Sequence, residues 1–311
     1  MTAVVTFGEA LVAVRTHGRL SLGAPMSATP AGAEMNVAIG LARLGHDARW
    51  VGALGVDPAG DLVARTLRAE GVDTVGVRRD ATAPTGLMLV DMPVGLPPIV
   101  TYHRRDSAGS QLSEQDVADL GAAQILHVSG VTPALSATAR RATSTAIDAA
   151  RTAGTRVSFD VNFRAKLWPR EEAAAVLAPL AARADIVIAS EDELALVTAT
   201  GDEAKSIAAL LEAGVREVVV KRGSRGADHT DANGVISCSA HPANEVNSIG
   251  AGDAFTAGYL SGLLDGLPVR ERMRRGAFCG ALAVSGHGDW EQAPFRADLA
   301  SLEARSSEAA R

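Results

Sequence analysis

The run Val246-Asn247-Ser248-Ile249-Gly250-Ala251-Gly252-Asp253-Ala254-Phe255-Thr256-Ala257-Gly258 decides how this chain is read. Small residues sit where a loop turns into a helix over about 254–264, with one acid at its opening turn. Gly250, Ala251 and Gly252 leave their backbone N–H groups open to an approaching anion. The positive end of the helix dipole points at the same spot. Asp253 stands beside them, placed to take a proton from a hydroxyl. An anion hole and a base are the two needs of phosphoryl transfer from ATP to an alcohol. A tight turn followed by an acid that complements the dipole gives the same local pattern, so the choice rests on the remainder of the chain.

Working outward, the pattern alternates strands and helices. Strands are expected at 4–8, 48–52, 124–128, 156–161, 186–189 and 215–221. Helices are expected at 34–44, 61–70, 136–153, 170–183 and 203–213, several of them ending at a glycine such as Gly45, Gly71 or Gly154. That alternation predicts a doubly wound α/β domain with a mostly parallel sheet between helices. Two stretches break the rhythm, 11–29 and 85–105. They carry strand-like pieces without an intervening helix, cut by Pro93, Gly95, Pro97 and Pro98. We read them as a small antiparallel sheet inserted in the α/β core as a lid, in one domain spanning 1–311; hairpins on a sheet edge are the alternative.

Bulk composition narrows the partners. The chain has 311 residues, 47% hydrophobic but only 4% aromatic, so its core is built from Ala, Val, Leu and Ile. A net charge of −6 argues against a nucleic-acid or membrane-surface partner. No apolar run reaches membrane-spanning length, and a strand pattern begins at once without a signal peptide. Cys238 and Cys279 have no His or Cys at metal spacing and read as reduced thiols. The expected location is the cytoplasm.

With these segments in place, the chain resembles the ribokinase-type, or PfkB, carbohydrate kinases over its whole length. The C-terminal signature is matched by Gly250-Ala251-Gly252-Asp253. The N-terminal one is matched by Gly32-Ala33-Glu34-Met35-Asn36-Val37-Ala38-Ile39-Gly40-Leu41-Ala42-Arg43-Leu44-Gly45. Tyr102-His103-Arg104-Arg105-Asp106-Ser107-Ala108, Phe159-Asp160-Val161-Asn162-Phe163-Arg164 with Leu167-Trp168, and Gly288-Asp289-Trp290-Glu291 resemble segments of the keto-deoxy-sugar-acid kinases within that family. The resemblance implies a ribokinase-like three-layer fold, ATP and Mg²⁺, a monovalent cation in some members, and 2-keto-3-deoxygluconate as the phosphate acceptor. Lid-to-lid pairing into a homodimer or higher homo-oligomer would hide the sheet edges.

The resemblance assigns the site residue by residue. Asp253 is the base, and the 250–253 backbone is the anion hole. Gly32 and Ala33 let the sugar approach backbone, while Asn36 bonds its hydroxyls or simply opens a helix. Arg164 and Arg104 are candidates to clamp the substrate carboxylate, since a guanidinium fork meets a carboxylate with two bonds; a solvated surface charge is the alternative for each. Tyr102 covers the sugar or packs the lid, and Asp289 accepts a substrate hydroxyl or closes a turn. On the nucleotide side, Lys221, Gly223 and Gly226 form the ATP turn. Ser190 stands where Asn is usual, and Glu193 is placed near Mg²⁺, with plain helix capping as the alternative. Departures from the pattern are Asn247 for Asp, Ala13 where many members carry a substrate-binding Asp, and Met88 on the lid. Kinases of the same fold for 2-ketogluconate, keto-deoxygalactonate or fructose remain alternatives, as does a non-catalytic sugar-binding regulator.

Overall fold

The computed structural model describes residues 2–198 and 200–301. Its main sheet is assembled from β1 (Thr2–Phe7), β4 (Ala48–Gly55), β5 (Val77–Asp80), β8 (Ala123–Ser129), β9 (Arg156–Asp160), β10 (Ile186–Ser190), β11 (Glu217–Lys221), β12 (Ala227–Asp231) and β13 (Gly234–Cys238). They lie in the order β13-β12-β11-β10-β9-β8-β1-β4-β5. Strands β11 through β5 run parallel, while β12 and β13 form an antiparallel edge. The order turns back between β8 and β1, the switch point where open α/β sheets bind ligands beyond their strand ends.

Alternation along the strands fixes the layers. Val218 and Val220 of β11 enter one core, with Phe159 and the helices α3 (Ala137–Thr152), α4 (Arg170–Ala181), α5 (Glu191–Thr198) and α6 (Glu203–Glu212). Val219 faces the opposite way, into a core with α1 (Ala33–Arg43), α2 (Pro58–Ala69), α7 (Ala251–Leu264) and α8 (Val269–Ala283). A side-chain period of two thus buries both faces of the sheet. Helix starts follow the expected chemistry. Asp57 accepts from the Gly60 N–H at 2.7 Å ahead of Pro58. Ser136 accepts from Ala139 at 3.1 Å and Asp202 from Lys205 at 3.1 Å.

A second sheet has the order β3-β2-β6-β7, from β2 (Leu11–Thr16), β3 (Met26–Ala31), β6 (Gly86–Asp91) and β7 (Ile99–His103). Its two hairpins are antiparallel, but they join through a parallel pairing of β2 with β6, with Leu11 opposite Gly86. The sheet is therefore mixed rather than purely antiparallel. The two hairpins come from separate stretches of chain, so no turn dictates how they meet.

Several elements lie beyond the sequence reading. β5, with the sequence Val-Arg-Arg-Asp, and the β12–β13 edge are polar and short, so their periodicity is faint. α8 carries five arginine or glutamate side chains in its first seven positions, which masks its apolar stripe. Helix α7 begins at Ala251, three residues before the expected start. Glycine is a poor helix former, but burial of α7 from Asp253 to Gly262 against α1 and α8 overrides that preference. Cys238 and Cys279 are both free thiols.

Candidate active site

The carboxyl ends of β1, β9, β10 and β11 and the N-termini of α1 and α7 surround one cavity of about 510 Å³. Leu11, Ala31, Met88, Val100 and Tyr102 of the second sheet roof it. A second cavity of about 630 Å³ lies between the turn after β11 and helices α7 and α8. The two share Lys221, Ser248 and Gly252, so they meet at the start of α7.

Asp253 lies at that junction, in the first turn of α7, and is 8% exposed. Asn36 donates its amide to one carboxylate oxygen at 2.8 Å, and the amide of Asn162 lies 3.5 Å from the other. Asn36 therefore holds the acid through its amide nitrogen, while its amide oxygen is buried without a partner beside the cavity. Asn162 adopts φ 39°, a left-handed conformation that Asn tolerates, just past the end of β9. Burial raises the Asp253 carboxyl to about 7, with Asp160 adding to the rise and Asn36, Arg164 and Lys221 opposing it. A buried acid titrating near neutrality, facing a cavity, suits a general base.

The anion hole is narrower than the sequence suggests. The Ala251 N–H donates to the Ser248 carbonyl at 3.3 Å, so a turn uses it. Among the described residues, no protein acceptor meets the N–H groups of Gly250, Gly252 or Asp253. Gly250 has φ 81°, and a Cβ there would lie 1.9 Å from the backbone oxygen of Asp289. Only glycine fits that approach.

Ion pairs sort the charges around the cavity. Arg104 sits over the Tyr102 ring, 5.0 Å from its centre, and pairs with Glu9 at 2.5 Å. Burial raises the Glu9 carboxyl, Arg104 opposes that rise and Glu34 adds to it. Arg104 therefore carries an ion pair with Glu9 that no local spacing announced, while its Nε has no hydrogen-bond partner and it still lines the cavity. Arg15 pairs with Asp289, and both are buried. Lys221 pairs with Asp160 at 2.6 Å. Burial opposes the Lys221 charge, but Asp160, Glu193 and Asp253 hold its pKa above the ordinary value. Arg164 is exposed and, alone among the described cations lining this cavity, has no carboxylate ion pair.

Ser190 and Glu193 belong to a brace. One Glu193 oxygen accepts from the Phe163 N–H and the other from the Ser190 N–H, each at 2.8 Å. This ties the end of β10 to the segment after β9, and both oxygens are engaged, so direct metal ligation does not follow from the geometry. Among the described residues, no three His, Cys, Asp or Glu side chains cluster as metal ligands. Gly32 and Ala33 line the first cavity, and Gly223 and Gly226 the second. Asn247 donates to the His287 carbonyl at 3.2 Å and accepts from the Ile249 N–H at 3.1 Å, so the amide orders the glycine loop from within. Ala13 is fully buried in the small sheet beside Met88.

Two adjoining cavities, a buried acid and open N–H groups at one helix start are what a transfer site between two small molecules requires. Residues 1–296 match the family described as pfkB family carbohydrate kinase. The chain belongs to this family of carbohydrate kinases. It is 37% identical to the 2-dehydro-3-deoxygluconokinase of Bacillus subtilis (strain 168), across 96% of this chain and 94% of that one. It is 36% identical to a fructokinase of Salmonella typhimurium, across 87% of this chain and 90% of the relative. The solved fructokinase of Vibrio cholerae O395, bound to fructose, ADP and calcium ion, superimposes with a TM-score of 0.86 at 28% identity, covering 97% of this chain and 98% of that one.

Within this kinase, Glu9 and Arg15 went unnoticed in the sequence. Glu9 sits between Gly8 and Ala10 and Arg15 between Val14 and Thr16, and their partners lie 95 and 274 positions away, so no local spacing announces them. No helix among the described residues is long and apolar enough to cross a membrane.

Proposed function

We propose that this kinase transfers the γ-phosphoryl group of ATP to the primary hydroxyl of 2-keto-3-deoxygluconate, giving 2-keto-3-deoxy-6-phosphogluconate. The observation that carries the choice of a sugar acid is Arg164, the cavity-lining cation left without a carboxylate partner among the described residues. A neutral sugar gives that charge nothing to meet. A carboxylate meets it with two charge-assisted bonds.

In this reading the sugar occupies the cavity under the small sheet, with its carboxylate at Arg164 and a hydroxyl at Asp289. Its primary hydroxyl points at Asp253, and ATP lies along the second cavity. Asp253 takes the hydroxyl proton as the oxygen attacks the γ-phosphorus and the bond to the β-phosphate oxygen breaks. The N–H groups of Gly252 and Asp253 bond the phosphoryl oxygens, where charge must be stabilised. Mg²⁺, carried with the nucleotide, neutralises phosphate charge. The described residues form no cluster of three metal-ligating side chains, which fits an ion that keeps several waters, and Glu193 would meet it only through water. Lys221, fixed by Asp160, faces both cavities and suits the transferring phosphate. The two sheets act as one catalytic unit, the small sheet serving as a lid that excludes water.

The test is ADP release with Mg·ATP against 2-keto-3-deoxygluconate, its galactonate isomer, 2-ketogluconate and fructose. Arg164→Ala should raise the KM for the keto-deoxy acid about 10–100-fold, with Arg164→Lys recovering only part. Turnover of fructose alone, unaffected by Arg164→Ala, would replace the sugar-acid reading with a fructokinase one.

We also infer a homodimer through the lid. Leu22, Val94, Leu96 and Ile99, on its loops and edge strand, are all more than half exposed. Light scattering should return twice the 32.0 kDa of one chain, and a monomer at micromolar concentration would count against it.

A further inference from the structure

Arg15 lies on β2, on the strand face it shares with Leu11 and Ala13. Leu11 and Ala13 pack into the core of the small sheet. Past them, the Arg15 side chain leaves its own sheet and pairs with Asp289, 274 residues away, in the loop that follows α8. Its other terminal nitrogen donates to the Thr29 hydroxyl on β3. Arg15 is 6% exposed and Asp289 5%, so the pair is screened from solvent. Asp289 lines the sugar-side cavity, whereas Arg15 stands behind it.

We propose that Arg15 is the positioning residue for Asp289, fixing that carboxylate as the acceptor for a substrate hydroxyl and tying the base of the lid to the core. The inference rests on the reading of this cavity as the sugar site.

Three observations support it. A carboxylate can accept at two oxygens, and Arg15 takes one of them, leaving the second for the ligand. Two strands of the lid, through Arg15 and Thr29, set where the guanidinium lies, so the lid position is relayed to the carboxylate. The acid also needs a charge partner. Burial lifts the Asp289 carboxyl to about 6, Glu291 adds to that rise, and Arg15 and Arg164 oppose it. The backbone oxygen of Asp289 packs close against Gly250, a contact made apart from the Arg15 side chain. Changing Arg15 should therefore free the side chain without moving the phosphate cradle.

The experiment is a double-mutant cycle on steady-state kinetics. Arg15→Gln should raise the sugar KM about tenfold, leaving kcat within about threefold and the KM for ATP within about twofold. Arg15→Lys, which keeps the charge, should recover most of the loss. Asp289→Ala should raise the sugar KM by a similar factor, and Arg15→Gln added to Asp289→Ala should cost nothing more, since the partner is already gone. Additive effects would overturn the proposal, as would a sugar KM unchanged by Arg15→Gln. Equal losses in kcat and both KM values, tracking a lower Tm, would show a merely structural role. If Arg15→Gln alone does not fold, the comparison of Asp289→Ala with the double variant decides, because neither keeps the carboxylate that Arg15→Gln would leave unpaired. The sugar-acid reading fails separately, if the wild type turns over only a neutral sugar. The cycle is then run with that sugar, and its outcome still judges Arg15.

Discussion

Replacing Asp253 by Asn is expected to lower kcat by about 10²–10⁴-fold, the usual contribution of a positioned general base. The change is nearly isosteric. The Asn36 amide can still donate to the oxygen it bonds at 2.8 Å, so the loop and α7 should stay in place. The pH profile gives the assignment a second handle. Burial raises the Asp253 carboxyl to about 7, and the base works only when ionised. In the wild type, kcat/KM should therefore rise with pH through about 7 and level off above it. The same shift makes a stability prediction of the opposite sense. Between the ordinary carboxylate value of 3.8 and about 7, the native state holds a proton that the unfolded state has lost. Stability is thus lost as pH rises through that window. Asp253→Asn removes the buried charge, so its Tm at pH 8 should exceed that of the wild type by several degrees, the gap closing towards pH 4. Calorimetric melts at the two pH values, beside single-turnover phosphoryl transfer, check both halves. Wild-type rates in the variant would remove Asp253 from the base role.

Gly250→Ala should cost about 10²–10³-fold in kcat, the loss seen when an oxyanion donor is misplaced. Two separate constraints act at this position. The φ of 81° is strained for any residue with a Cβ. That Cβ would also lie 1.9 Å from the oxygen and 2.7 Å from the carbonyl carbon of Asp289, backbone atoms that cannot swing aside as a side-chain end would. The loop must move, taking with it the N–H groups of Gly252 and Asp253. ATP binding, which draws on the whole second cavity, should weaken much less than turnover. Pre-steady-state transfer together with nucleotide titration separates the two. A kcat within about threefold of wild type would mean that the cradle tolerates displacement and is not the source of transition-state stabilisation.

The glycine loop and its acid were legible in the sequence because they are contiguous. Gly250, Gly252 and Asp253 sit within four positions, and a loop-to-helix start carries its own dipole and free N–H groups wherever it is folded. The strand–helix alternation was legible for a similar reason: Val218 and Val220 against Val219 write the two faces of the sheet into neighbouring positions. The polar strand β5 and the β12–β13 edge were not, since an edge strand borrows its order from the sheet rather than from its own side chains. Arg104 shows the limit most clearly. Its residue type and segment suggested a free cation, and the structure spends that charge on Glu9, 95 positions earlier.

By itself, then, the sequence determined the layered α/β architecture, the segments that form the small separate sheet, the glycine loop and the acid beside it. Each depends on short-range periodicity or on adjacent residues. Only the tertiary structure decided which charges are available: Arg104 to Glu9, Arg15 to Asp289 and Lys221 to Asp160, with Arg164 left facing the cavity. It likewise gave Asn36 to Asp253 across 217 positions. Buried charges must find partners, because leaving water costs more than the chain can absorb unpaired. Which partner each one finds depends on strand ends and helix starts that meet only after the sheet has formed.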